Sequence, residues 1–386
     1  MLTSQRMNNL HPYVPGEQPK DRDYIKLNAN ENPYPPSPNV TEAVLKFIKA
    51  HPEKLGLYPD PDSLELHAAI ADMLNQTGGV LCRAKVNGSN VEPAPEDKIP
   101  FTVTPDMIYT GNGSDEVLSF VFYAFFDSSK KFVMPEFTYS FYPVYAGFYN
   151  IPTDTVPLNA DWSLNTDEML SRASKNAGGI IFANPNAPTG LALSREQVRQ
   201  MLKKASPDEI FIVDEAYVDF GGESCIPLLA EFKNLVIVRT FSKSLCGAGQ
   251  RLGYIVSSPE LVNIVTTVKN SVNHFPIDAV AQVSGKEACK NAAYYVECSK
   301  KVVAQRESFY DFLIENGFYA IKSSTNFIFA KKDGIKGEEL YKGIKAQGIL
   351  IRHFNTPGIE DFVRITIGTE SQMNELRKAF LKVLGK

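Results

Sequence analysis

The sequence predicts an α/β protein with a large, doubly wound domain built on a mostly parallel sheet, joined to a smaller α+β domain. Three observations predict it. Short apolar runs alternate with helix-like stretches from MIYT (107–110) to LVIVRT (235–240). After about residue 280 the pattern changes to long helices followed by short strands. At 386 residues the chain also exceeds what one hydrophobic core usually organises.

Taken in order, the first forty residues are rich in Pro and Asn (HPYVPGEQP, NANENPYPPSP) and lack a helical period, which predicts an extended arm wrapped over another part of the protein. SLELHAAIADMLNQ (63–76) carries apolar residues at three- and four-residue spacing and predicts an amphipathic helix. Residues 77–105 are polar and proline-bearing, a surface excursion. Next come the apolar runs MIYT, KFVMP (131–135), GGIIFAN (178–184), EIFIVDE (209–215) and LVIVRT, interleaved with the helical stretches SDEVLSFVFYAFF (114–126) and SREQVRQMLKKA (194–205). Ser194 and Gln197 form a capping-box signature at the start of the latter. Continuous apolar strands alternating with helices indicate a sheet covered on both faces, whose ligand should sit at the strands' C-terminal ends. NFIFAKK (326–332), GILIRHF (348–354) and DFVRITIG (361–368) are the strands expected in the smaller domain. The expected division is an arm that also belongs to the small domain (1–38), the large domain (39–278) and the small domain (279–386).

Composition narrows the function. With 44% hydrophobic and 22% charged residues the chain is globular, and a net charge of -4 with a pI near 5.9 provides no electrostatic footprint for nucleic acid or an anionic membrane. Small molecules are the expected partners. Neither a signal peptide nor the ~20 apolar residues of a membrane span is evident, so a cytoplasmic location is expected. Five scattered cysteines without a C-x-x-C pair read as reduced thiols, and the five histidines form no ligand-spaced cluster, so no metal site is expected.

Polar residues gather where the apolar runs end. Gly111-Asn112-Gly113-Ser114-Asp115 follows a strand and opens a helix, an arrangement that suits a phosphate, although Gly-Asn-Gly is also plain turn chemistry. Asp214 ends EIFIV, where a buried carboxylate needs a cation; a protonated pyridine nitrogen would serve, and Tyr217 could reach the same ring's phenolic oxygen. A local turn capped by Asp214 is the bland alternative. Ser242-Lys243 follows LVIVRT, with Arg251 in GAGQRLG shortly after. A Schiff-base lysine needs a strand end near desolvating walls, while a serine hydroxyl and an arginine fork suit a phosphate. Most Ser-Lys pairs are simply solvated, so Lys243 gains its meaning from Asp214 and the Gly-Asn-Gly turn.

In order, NANENP, Tyr58-Pro59-Asp60, GNGSDE, FTYSFYP, NPNAPTG, VDEAY, TFSKSLCGAGQRLGY and FVRITIGT resemble the fold type I, class I/II aminotransferases that use pyridoxal 5'-phosphate (PLP), most closely the histidinol-phosphate branch. The resemblance runs from about residue 11 to the C-terminus, with 80–100 as an insertion. It implies the aspartate aminotransferase-like fold, a seven-stranded main sheet, PLP as cofactor, and an amino donor and a keto acceptor as partners. Residue by residue, it implies that Lys243 is the catalytic lysine holding PLP, Asp214 pairs with the pyridine nitrogen, Tyr217 contacts the phenolic oxygen and Tyr139 stacks on the ring. Ser114, Asp115, Ser242 and Arg251 correspond to the phosphate cradle and its helix start. Tyr58 would reach the neighbouring subunit's cofactor, implying a homodimer. Arg364 corresponds to the arginine that receives a substrate carboxylate or phosphate, with Arg352 and Tyr13 in the same pocket.

Two departures stand out. The family usually places asparagine before Pro-Thr-Gly, where it meets the cofactor's phenolic oxygen; this chain has Ala187, leaving Asn184, Asn186 or a water to substitute. Cys246 with Gly247, between Lys243 and Arg251, reads as a packing change. The rival readings are an aromatic amino-acid aminotransferase or a PLP-type threonine-phosphate decarboxylase on the same scaffold. A nicotinamide oxidoreductase fits poorly, because neither glycine turn completes G-x-G-x-x-G. A non-catalytic module would not need Lys243, Asp214 and Arg251 together.

Overall fold

The computed structural model describes residues 2, 4, 7, 10–13, 16–82, 98–175 and 177–386. From the N-terminus, β1 (Ile25–Lys26) precedes α1 (Pro38–Ala50) and α2 (Leu64–Thr77). The main alternation follows: β2 (Ile108–Asn112), α3 (Gly113–Phe125), β3 (Phe132–Pro135), α4 (Tyr142–Tyr149), β4 (Thr153–Val156), α5 (Thr166–Ala173), β5 (Gly179–Ala183), α6 (Arg195–Lys204), β6 (Ile210–Asp214), β7 (Leu235–Thr240) and β8 (Leu252–Val256). Helices α7 (Pro259–Val272), α8 (Ala279–Lys290) and α9 (Ala292–Glu315) lead to the last part of the chain. There β9 (Tyr319–Ala320), β10 (Phe327–Lys331), α10 (Gly337–Ala346), β11 (Ile349–Leu350), β12 (Arg352–His353), β13 (Val363–Thr366) and α11 (Glu370–Val383) complete the fold.

The main sheet has seven strands in the order β2-β8-β7-β6-β5-β3-β4. Its pairs are parallel except where β8 runs against β2 and β7. Every residue of β5, β6, β7 and β8 is buried, which is why their sequences are continuous apolar runs rather than alternating ones. β4 (TDTV) is polar because it lies at the sheet edge, where one side needs no cover. At α6 both halves of the expected capping box form, Ser194 on the Gln197 N–H and Gln197 on the Ser194 N–H. The excursion expected at 77–105, and with it the insertion expected at 80–100, falls chiefly on 83–97, outside the described residues.

The smaller sheet is antiparallel, in the order β12-β13-β10-β9. The run GILIRHF serves two sheets: its first half, β11, pairs in parallel with β1 of the N-terminal arm, and its second half, β12, pairs with β13. Helix α9 also serves two bodies. Tyr295 and Cys298 pack into the main core beside Ala281 and Cys289 of α8, whereas Val302, Phe309 and Leu313 pack against Phe327, Ile365 and Phe380. Among the described residues no helix is long and apolar enough to cross a membrane, and no group of three or more His, Cys, Asp or Glu side chains is placed to hold a metal ion. All five cysteines are free and buried.

Candidate active site

A cavity of about 350 Å³ opens at the C-terminal ends of β5, β6 and β7, the edge where helix N-termini and strand ends converge in a doubly wound sheet. Two glycines let its floor close. A Cβ on Gly253 would lie 2.3 Å from the Ser114 nitrogen, and one on Gly113 (φ +77°) would lie 2.5 Å from Arg251 Nη2. With both absent, the start of β8 lies directly against the first turn of α3, and Arg251 rests beside Ser114 on the cavity wall. The helix N-terminus supplies free N–H groups there, and Arg251 supplies a planar cation. The carboxylate of Asp115 faces Arg251 at 3.5 Å and accepts a hydrogen bond of 2.8 Å from the Tyr139 hydroxyl. Tyr139 itself lines the cavity.

Asp214 occupies the last position of β6, only 4% exposed. Its carboxylate accepts the Tyr142 hydroxyl at 2.9 Å and the Ala216 N–H at 3.1 Å, and among the described residues no cationic side chain pairs with it. Burial pushes its pKa up to about 6, the two hydrogen bonds pulling the other way. Tyr217 follows at the cavity edge, its hydroxyl accepting from Asn30 Nδ2 at 2.9 Å. Lys243 points into the same space, with Nζ 5.6 Å from the Tyr217 ring centroid and 3.4 Å from the Ala29 carbonyl oxygen. Asn32 Nδ2 donates to the Lys243 carbonyl at 2.9 Å, so the N-terminal arm ties down the lysine's loop. Ser242 lines the cavity next to it, with its N–H on Thr240 Oγ1 at 3.1 Å.

Beneath these loops lies a buried charge network. Arg239, near the end of the apolar run of β7, donates to Glu215 at 2.9 Å and faces Asp219 at 3.6 Å. Glu215 also takes the Ser224 hydroxyl, and Asp219 takes the Ser244 hydroxyl at 2.6 Å. One network thus braces both the turn after Asp214 and the turn carrying Lys243. Arg239 could have been singled out in the sequence, because a guanidinium within a buried strand must have a partner.

Arg364 and Arg352 face each other across β12 and β13 as register partners. The Arg364 guanidinium lies 5.3 Å from the Phe327 ring and 5.6 Å from Phe354, donates to the Asn28 carbonyl at 3.3 Å, and leaves a buried Nε with no partner among the described residues. Burial lowers its pKa from the ordinary arginine value, partly offset by Tyr217 and Tyr13 nearby. Two cations opposed on one sheet face are unfavourable unless an anion sits between them. Tyr13 packs on Phe141 at 4.7 Å. Arg352, Arg364 and Tyr13 border the site without lining the cavity. Tyr58 stands apart, 82% exposed and stacked on Phe275 at 4.5 Å.

The two asparagines considered as substitutes for Ala187 are both engaged elsewhere. Asn184 is clasped to Leu193 through both ends of its amide, and Asn186 donates to the Phe137 carbonyl and to Thr189. Ala187 itself lines the cavity. Tyr142 and Asn30, which orient Asp214 and Tyr217, were not singled out from the sequence; Tyr142 lies within FTYSFYP and Asn30 within NANENP, so the motifs held them without naming their contacts.

Residues 22–380 match the family described as aminotransferase class I and II. The chain belongs to that family. This aminotransferase is 42% identical over 384 residues to the histidinol-phosphate aminotransferase of Syntrophus aciditrophicus, with 98% of each chain covered. It is 41% identical over 382 residues to histidinol-phosphate aminotransferase 2 of Dechloromonas aromatica, with 99% of each covered. Its fold matches that of the histidinol-phosphate aminotransferase from Sinorhizobium meliloti in complex with PLP, with a TM-score of 0.81 at 21% identity over 100% of this chain and 98% of the other. A Thermus thermophilus aspartate aminotransferase mutant superposes with a TM-score of 0.79 at 18% identity, covering 99% of each chain. The expected aspartate aminotransferase-like fold is therefore the observed one, and the family is PLP-dependent.

Proposed function

We propose that the enzyme exchanges an amino group between histidinol phosphate and 2-oxoglutarate, giving imidazole acetol phosphate and glutamate, a step of histidine biosynthesis. The observation that carries the substrate is 42% identity across 98% of the chain to a histidinol-phosphate aminotransferase. The facing Arg352 and Arg364 fit it, because an arginine fork binds a phosphate in one half-reaction and a carboxylate in the other.

The residues of the cavity fit PLP. Asp214 is a buried carboxylate held by two donors and, among the described residues, by no cation, which is what a protonated pyridine nitrogen would supply. The close approach of Arg251 to Gly113 and of Gly253 to Ser114, which puts a guanidinium next to the first turn of α3, fits a phosphate. When bound, PLP supplies a cationic ring that draws electrons from the amino-bearing carbon of the substrate. Asp214 would keep the proton on the ring nitrogen, Tyr217 would donate to the phenolic oxygen, and Tyr139 would cover a ring face. The first turn of α3 with Ser114, Ser242 and Arg251 holds the phosphate. Lys243 would hold the cofactor covalently between turnovers, and its amine, once freed by the donor's amino group, would be the base that takes the proton from the amino-bearing carbon. The same amine runs the transfer backwards with the keto acceptor. Arg364, with Arg352 and Tyr13 beside it, grips the substrate's anionic end. The working form is a cytoplasmic homodimer in which the exposed Tyr58 of one protomer reaches its partner's cofactor phosphate. The arm together with 279–386 forms the smaller domain around the large one.

A substrate panel tests this reading. With 2-oxoglutarate as acceptor, histidinol phosphate should give glutamate with a higher kcat/KM than phenylalanine, tyrosine or threonine phosphate, and Lys243→Ala should abolish turnover and the visible absorbance of bound PLP. Carbon dioxide released from threonine phosphate without glutamate formation would overturn transamination.

A further inference from the structure

The cavity has a methyl group where an amide donor is expected. Ala187 lines it beside Tyr217, whereas Asn184 and Asn186 do not line it and turn their amides to Leu193 and to Phe137 and Thr189. Whatever acceptor lies between Ala187 and Lys243 therefore depends on the Tyr217 hydroxyl. That hydroxyl has one proton and two lone pairs, and its direction decides whether it gives or takes.

Asn30 settles the direction. This residue is 1% exposed, and its backbone sits in the left-handed region (φ 54°), which asparagine tolerates. Its own N–H donates to Thr366 Oγ1 at 3.0 Å, and its Oδ1 accepts from that same hydroxyl at 3.0 Å. Having accepted the backbone proton, Thr366 directs its hydroxyl proton to Oδ1, and this turns the amide nitrogen toward Tyr217 at 2.9 Å. The main-chain carbonyl of Asn30 is held by Asn326 at 3.0 Å. Tyr217 therefore receives a proton on a lone pair from behind, and its own proton is left for the cavity. Phe327 packs edge-on against its ring at 5.2 Å.

We propose that Asn30 is a positioning residue: it makes Tyr217 an obligate donor into the cavity and so takes over the task that an amide at position 187 would share. The assignment rests on the PLP reading above. The acceptor is then the phenolic oxygen of the cofactor, and Asn30 acts on it through Tyr217 without touching it. Donors on that oxygen favour the state in which it shares no proton with the nitrogen of Lys243. Weakening them raises the pH at which that shared proton is lost.

The test is a spectrophotometric pH titration of the purified holoenzyme, following the visible band that PLP forms with Lys243. Asn30→Gly removes the amide and keeps the left-handed backbone unstrained. It should raise the midpoint by about half a unit to one unit, the size expected for one neutral hydrogen bond. Tyr217→Phe should raise it further, and the double variant should match Tyr217→Phe alone, since Asn30 has nothing left to orient. Ala187→Asn should lower the midpoint and shrink the Asn30→Gly effect. Thr366→Val, which removes the hydroxyl that orients the amide, should move the midpoint the same way as Asn30→Gly but less, and it serves if Asn30→Gly does not fold. An unmoved midpoint in both Asn30→Gly and Thr366→Val, or an Asn30→Gly shift of equal size with and without Tyr217, overturns the proposal. A wild-type protein that forms no visible band with PLP instead overturns the cofactor reading, and this proposal with it.

Discussion

In the cofactor-free enzyme, Asp214→Asn should stabilise the fold above pH 6 and leave it unchanged near pH 4. Burial raises the carboxyl from 3.8 to about 6 despite hydrogen bonds from Tyr142 and Ala216. A folded pKa above the unfolded one means that the folded chain holds the extra proton between those two values. Stability is therefore lost as pH rises from about 4 to about 6 and stays low above it. At 1.36 kcal/mol per pH unit, the rise of roughly two units corresponds to about 3 kcal/mol. The unfolding entropy of a chain this long is about 0.8 kcal/mol per degree, so the variant should melt about 4 °C higher at pH 7.5. Asparagine is nearly isosteric, stays neutral and still accepts the Ala216 N–H. Melting curves of both apoproteins from pH 4 to 8 read the difference, which should open from zero to its full value across pH 4–6. Adding PLP should then raise the wild type's Tm more than the variant's, because only the carboxylate pairs with a protonated ring nitrogen. A gap independent of pH, or none at pH 7.5, refutes the argument.

Other outcomes follow from the same geometry. Arg364→Lys keeps the charge but loses the fork, so KM should rise roughly 10- to 100-fold for histidinol phosphate and for 2-oxoglutarate alike; half-reactions measured separately check it, and a change confined to one substrate would contradict a shared anion site. Arg239→Met leaves Glu215 buried without its cation and should cost about 3–5 kcal/mol. Thermal melting reads that loss, and Glu215→Gln added to Arg239→Met should recover part of it.

The main sheet was legible because its strands announce themselves locally. GGIIFAN, EIFIVDE and LVIVRT each carry a run of consecutive apolar residues because both faces of β5, β6 and β7 are covered, and the charged Asp214 and Arg239 come only at or near the strand ends. Two strands were not individually legible: β4 reads as polar because it is an edge, and β8 is hidden behind the glycines that let it approach α3. Of the predicted site residues, Ser114, Asp115, Tyr139, Asp214, Tyr217, Ser242, Lys243 and Arg251 all line one cavity. Arg364, Arg352 and Tyr13 border it, and Tyr58 lies on the exposed surface, where its expected role needs a second protomer.

By itself the sequence determined which residue types stand at the strand ends, since turn chemistry, helix starts and apolar runs are set by neighbours within a few positions. It singled out Lys243 and Asp214 before any contact was known. Tertiary structure alone decided what those side chains meet. Asn30 reaches Tyr217 across 187 positions of chain, Arg239 closes a network between two loops, and GILIRHF divides between two sheets because its pairing partners lie in the N-terminal arm and in β13. Such contacts carry no local periodicity. They arise when the N-terminal residues and the four-stranded sheet pack near the main sheet and bring polar groups together in the interior, where each must find a partner.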